Sequence, residues 1–287
     1  MLKYILITLI SFFSLVAQAE EKISIVNTGS ASGGFAMQST ALAKDLTDFF
    51  GYDINFENPG DACVAAGIIQ KTNSPLIMPW STDLEAVGRD GLGCATFDLD
   101  SATVLQYNIL PYRVCTMTHD DFSTGSTIGH SSPKFVFERA AEALNTAVGS
   151  NLKPIGYDGS GNTRKALLSG EVDFVILSPK HSKKVMAEGA KCLWEFSDGT
   201  TPGLIHLQAE YPDVDRLSLS TEEVFIALNM TGDQLEMLKN QVQVIHTTQG
   251  SAVNTLTAGG SAFEIRLNLS EDEIVERWES SIKGLRE

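Results

Sequence analysis

Two stretches carry residue types at a spacing suited to holding an anion. In Thr28-Gly-Ser-Ala-Ser-Gly-Gly34, the residues Gly29, Ser30, Gly33 and Gly34 let the main chain approach a solute closely. The N–H groups that open a following helix have no partner inside it, so they can donate to a carboxylate. Phe35 comes next and offers an apolar wall, unless it points into a core. The second stretch runs from Tyr157-Asp-Gly159 to Ser178 and reads as a glycine turn, a short helix, a glycine stop and an apolar strand. Tyr157 can stack on or bond an organic acid, or pack in a core. Gly159 lies in the turn, and Ser178 ends a strand, where solutes sit if the sheet is parallel.

Other donors stand at similar junctions. Ser81 and Thr82 follow an apolar strand, where a hydroxyl either bonds a ligand oxygen or caps a helix. His130, Ser131 and Ser132 sit where another strand hands over to a helix. Arg164, near a helix start, can clamp a carboxylate bidentately or lie in solvent. Catalytic patterns are missing: the chain has no Gly-x-Ser-x-Gly elbow, no Gly-x-Gly-x-x-Gly dinucleotide fingerprint and no His-Glu-x-x-His. Neighbours on one turn, such as His130 and Ser131, rarely form a triad. The first expectation is therefore capture of a small acid without a cofactor, a metal or a catalytic group. A secreted Ser/His hydrolase is the alternative from another class, and a surface scaffold without a ligand cleft is a third.

Strands alternate with helices along the chain. Strands are expected at 22–27, 52–56, 74–80, 105–110, 112–117, 154–157, 174–177 and 223–229, with another opening at Thr127. Helices are expected at 35–50, 62–70, 133–148, 164–168, 180–189, 232–244, 250–257 and 270–285. Asp83 can cap a helix after the third strand, and Ser270 with Glu273 matches a capping box. Residues 200–216 read as a polar loop. This alternation predicts an α/β fold of two lobes, each a largely parallel sheet flanked by helices. The lobes are placed at 20–121 and 122–222, with 223–287 returning to the first.

The net charge of −15 argues against nucleic acid and anionic lipid as partners. The same charge repels an anionic solute at long range, so local donors must overcome it. Residues 1–19 read as a signal peptide, with Lys3, an apolar run and Ala17-Gln-Ala19 as a cleavage site. Removal of that segment gives an exported, periplasmic chain of net charge −16. In an oxidising compartment Cys63, Cys94, Cys115 and Cys192 can pair in three ways. Cys63 with Cys94 is favoured, leaving Cys115 with Cys192; no Cys-x-x-Cys spacing suggests zinc.

Several blocks together resemble the substrate-binding receptors of tripartite tricarboxylate transporters, the Bug-type periplasmic proteins. They are Ser32-Gly-Gly34, Glu57-Asn-Pro-Gly60, Tyr157-Asp-Gly159, Ala166-Leu-Leu-Ser-Gly-Glu-Val-Asp173 and the helical C-terminus. The resemblance implies a type II periplasmic binding fold that closes on a carboxylated solute and delivers it to a membrane permease. Hinge closure is then expected to bridge the acid between donors of Gly33 and Gly34 in one lobe and of Ser131, Tyr157 and Gly159 in the other, in a monomeric protein. Met37 departs from the pattern by standing where the family has an acidic residue. The opening glycine loop with Ala41-Leu-Ala-Lys44 also resembles TAXI-type receptors of TRAP transporters, the rival family.

Overall fold

The computed structural model describes residues 22–29, 34–60, 62–89, 91, 96, 102–110, 112–131, 136–157, 159–196, 205–206, 221–258, 264–265 and 269–286. In chain order the elements are β1 (Lys22–Val26), α1 (Gly34–Phe50), β2 (Asp53–Glu57), α2 (Ala62–Ile69), β3 (Leu76–Ser81), α3 (Thr82–Arg89), β4 (Thr103–Leu110), β5 (Tyr112–Thr116) and a 3-10 turn (Phe122–Thr124). They continue with β6 (Thr127–His130), α4 (Val136–Val148), β7 (Lys153–Gly156), α5 (Gly159–Leu168), β8 (Phe174–Leu177), α6 (Pro179–Ala187), β9 (Lys191–Phe196) and β10 (Ile205–His206). The tail holds β11 (Thr221–Leu228), α7 (Gly232–Thr247), α8 (Ala252–Ala258), β12 (Glu264–Ile265) and α9 (Glu271–Arg286).

The strands form two mixed six-stranded sheets, ordered β12-β4-β11-β3-β1-β2 and β10-β9-β5-β8-β6-β7. By compactness the chain divides into residues 1–78 with 227–254, and residues 79–226 with 255–287. In the first unit β1 runs parallel to β2 and β3. Ile23, Ile25, Leu76 and Ile77 are buried on these strands, and α1 buries Leu42 and Leu46. Asp45, also buried on α1, accepts from the N–H groups of Ala252 and Val253, each at 2.8 Å, and so caps α8. Thr231 and Gln234 form a capping box on α7.

In the second unit, helices cover both faces of the second sheet. On one face Val114, Ile128, Phe174, Ile176, Trp194 and Phe196 pack with Ala141 and Leu144 of α4. On the other, Cys115, Val175, Leu177 and Cys192 pack with Ala166 and Leu167 of α5 and Val185 of α6. β6 runs parallel to β7 and β8, whereas β5 runs antiparallel to β8 and β9. The pairing of β5 with β9 shifts register between Val114 and Cys115, which face Trp194 and Cys192. Leu193 is the extra residue of this bulge, and it turns Cys192 and Trp194 to opposite faces although they are two positions apart. Cys115 and Cys192 are disulfide-bonded across it, as expected. Closing a loop over a separation of 77 residues stabilises by about 4 kcal/mol in the chain-entropy model. Cys63 is also disulfide-bonded, while Cys94 lies outside the described residues.

In the same unit α9 docks on α3 through polar contacts. The Arg89 guanidinium donates to both Glu279 oxygens at 2.7 Å and to Glu85 Oε1 at 2.9 Å, and Glu85 Oε2 accepts from Trp80 Nε1 at 3.0 Å. Ser270 and Glu273 form the expected capping box on α9.

Local expectations differ from the structure in a few places. α3 begins at Thr82, ahead of Asp83, so Asp83 is inside the helix rather than before it. α5 begins at Gly159 instead of Arg164, because Gly159 at φ 78° turns the chain directly into the helix. Strands β9, β10 and β12 were not expected; β10 lies in the segment read as a loop, most of which is outside the described residues. The signal-peptide reading also falls outside them.

Asp173 acts as a clasp within the second sheet. Its Oδ2 accepts from the main-chain N–H and hydroxyl of Ser126 at 2.8 and 3.0 Å and from those of Thr127 at 3.0 Å each. Burial pushes the carboxyl up, but the four donors outweigh it and hold it at about 2. Because the folded value lies below the unfolded one near 3.9, the clasp stabilises fully above that pH and is lost as pH falls through about 2. Asp173→Ala is expected to cost about 2 kcal/mol in urea unfolding at pH 7 and well under half of that near pH 2. Equal losses at both pH values would show that the charge has no part in it.

Candidate functional site

The donor groups gather at the carboxyl ends of strands, where the main chain leaves a sheet and enters a helix. In the first unit Asn27 directly follows β1 and is fully buried. Its amide donates to Gly29 O at 2.9 Å and to Asn58 Oδ1 at 2.8 Å, and its Oδ1 accepts from Gly29 N–H at 3.3 Å. The loop after β1 is thereby tied to the loop after β2. Phe35 lies over Gly29: a Cβ there would meet the phenyl ring at 3.0 Å, a tight approach that glycine relieves. Gly34 opens α1, whose first turn has no acidic side chain to occupy its N–H groups. Gly29, Gly34 and Phe35 are therefore brought together, while Ser30 and Gly33 lie outside the described residues.

In the second unit the loops after β6 and β7 are joined. Tyr157 N–H donates to His130 O at 2.9 Å, and Gly159 N–H to Ser131 O at 3.2 Å. His130, Ser131, Tyr157 and Gly159 thus share one end of the sheet, and Ser178 directly follows the neighbouring β8. Ser132 lies outside the described residues. Gly159 starts α5, whose first turn is also free of acidic side chains. The His130 ring is buried at 2 % exposure. The Tyr157 phenol bonds Glu171 Oε1 at 2.9 Å, and the ring covers Gly129, where a Cβ would meet it at 3.1 Å. Burial, followed by Glu171, pushes the phenol up to about 12. Tyr157 therefore offers a ring face, with its hydroxyl and its N–H already engaged.

Ser178 precedes α6 without a side-chain capping bond, and its Oγ lies 3.3 Å from His181 Nδ1. Arg164 bonds Glu188 at 2.7 Å. Thr82 is committed to β11: its Oγ1 accepts from Glu222 N–H at 3.1 Å and reaches Glu222 O at 3.5 Å. Ser81, at the end of β3 and 1 % exposed, has an Oγ without a hydrogen-bond partner among the described residues. The two adjacent hydroxyls thus differ: one is a structural tie, the other is buried without a bond among the described residues.

Several positioning residues were not singled out from the sequence. Asn27 and Asn58 hold the first loop, and the signal for them was an asparagine directly after a strand and another before Pro59-Gly60. Glu171 holds the Tyr157 phenol of the second, Asp173 clasps Ser126 and Thr127 at the start of β6, and both belong to the Gly-Glu-Val-Asp run that was noticed only as a family block. Arg113 on β5 pairs with Glu195 on β9 at 2.8 Å and donates to Ser182 of α6 at 3.2 Å, fixing the helix that follows Ser178. No local pattern announces that pair.

The sequence matches no protein-family model and no curated protein. Solved structures do match. A TctC solute-binding protein from Polaromonas, without ligand, has a TM-score of 0.71 at 16 % identity, covering 93 % of this chain and 98 % of that one. A Rhodopseudomonas palustris protein with adipate has a TM-score of 0.72 at 15 % identity, covering 93 % and 95 %. MatC from the same organism, with bound malate, has a TM-score of 0.67 at 13 % identity, covering 94 % and 98 %. The chain thus has the α/β fold, with two mixed sheets flanked by helices, that is found in solute-binding proteins of the TctC type.

Proposed function

We propose that the chain is a periplasmic receptor that captures a small carboxylate and delivers it to a membrane permease of the tripartite tricarboxylate type. The observation that carries this reading is a pair of glycine-opened helix starts, at Gly34 and Gly159, each at the carboxyl end of a strand and each without an acidic first-turn residue. Main-chain N–H groups in that setting take a carboxylate without needing a cationic side chain. Adipate and malate, held by two proteins of the same fold, are acids of the proposed class and the natural first probes. The receptor acts as a monomer, contains no catalytic step, and is exported through the leader at 1–19. Its lobes are 20–121 with 223–287, and 122–222. The TAXI-type reading shares the chemistry and differs in the permease served.

Thermal unfolding tests it. A dicarboxylate at 100 times its dissociation constant is expected to stabilise the protein by about 2.7 kcal/mol, with smaller or no effects from neutral sugars. Uniformly flat curves across mono- and dicarboxylates would remove the proposal.

A further inference from the structure

A chain of net charge −15 repels an approaching dianion, yet one of its surfaces is basic. Between residues 159 and 188, covering α5 and α6, five basic residues (Arg164, Lys165, Lys180, Lys183 and Lys184) stand against three acidic ones. Three of the five lie in the first six residues of the nine-residue α6, which has no acidic residue in its first turn. Lys180 lies in the first turn of α6, where a cation opposes the macrodipole, so helix stability does not account for it, whereas Lys165 and Lys184 lie in the last turns of α5 and α6, where the macrodipole favours them. His181, amid them, is pushed down by burial and then by Lys184, Lys180 and Arg164, which places cations of both helices in one neighbourhood. Lys165, Lys183 and Lys184 are exposed. The patch follows directly on Ser178 and on Gly159, at the end of the sheet already described.

The geometry points to the basic seam of α5 and α6 as an electrostatic guide that draws an anionic solute toward the carboxyl ends of β7 and β8. It deepens the receptor reading and rests on it. The seam acts on the rate of encounter, because exposed charges a turn or two behind the donors shape the local field without touching the bound acid. Its influence is screened as the Debye length contracts from about 30 Å at 0.01 M salt to about 3 Å at 1 M.

Stopped-flow tryptophan fluorescence with adipate and with malate tests the guide. Lys165→Glu/Lys184→Glu is expected to slow association about tenfold at low salt, with dissociation unchanged and the difference gone at high salt. The control Lys153→Glu/Lys191→Glu makes the same change in charge at the opposite, amino-terminal ends of β7 and β9, and should slow association far less. Equal slowing by both pairs, or no slowing by the first, overturns the guide while leaving the receptor reading intact. No signal from either acid in the unmodified protein, together with flat thermal curves, overturns both.

Discussion

Glu195→Ala lowers the stability of the protein by about 3 to 5 kcal/mol, which for a chain of this size is a fall in Tm of about 10 °C. The Glu195 and Arg113 side chains are 3 % and 7 % exposed, and they meet at 2.8 Å across β9 and β5. Truncating the acid leaves the guanidinium in an apolar layer without its carboxylate, and the desolvation cost of that charge is then no longer offset. The loss should extend to solute binding, because Arg113 also holds Ser182, and Ser182 Oγ donates to Pro179 O at 2.9 Å in the first turn of α6. Arg113→Met combined with Glu195→Leu recovers most of the stability, since the pair is replaced by packing and no charge stays behind. A cost below about 1 kcal/mol for the single change would mean that water reaches the pair and that its burial contributes little.

Acid weakens the protein well above the range where carboxylates titrate, and His246 is the expected cause. It is 8 % exposed on α7, and burial depresses it to about 4, with Asp45 partly restoring the charged form. The unfolded chain binds a proton near pH 6.5, whereas the folded one resists until about 4. Stability is therefore complete above pH 6.5 and declines as pH falls toward 4, by about 3 kcal/mol in total. Below 4 both states are protonated and this group adds no further slope. His246→Phe should flatten urea-unfolding stability between pH 6.5 and 4; an unchanged slope in that variant would assign the acid loss to other groups. The Asp173 clasp operates lower, between about 4 and 2, so the two effects separate on the pH axis.

Much of the order of elements was legible in the residues. The glycine loop and the amphipathic run after it announced α1, Pro111 separated β4 from β5, and Ser270 with Glu273 marked the start of α9. The alternation of strand and helix was enough for the α/β class and for placing donors at strand ends. The Cys115 and Cys192 pairing emerged as one of three possibilities, and burial on one face of the second sheet decided it. β9 escaped because its buried residues do not keep a period of two: the bulge at Leu193 sends Cys192 and Trp194 to different layers.

At the candidate site the sequence by itself located the glycines that open helices, since that is a local property, while the fold committed the N–H groups of Tyr157 and Gly159 to His130 O and Ser131 O. Only the tertiary structure decided which side chains were still available. The Tyr157 phenol went to Glu171 and Thr82 to Glu222, over separations of 14 and 140 residues. Helix periodicity, caps and turns act within about four residues, so they carry no information about partners so far along the chain. Those partners are chosen by which strands become neighbours, and by the cost of leaving a buried hydroxyl or carboxylate without a bond.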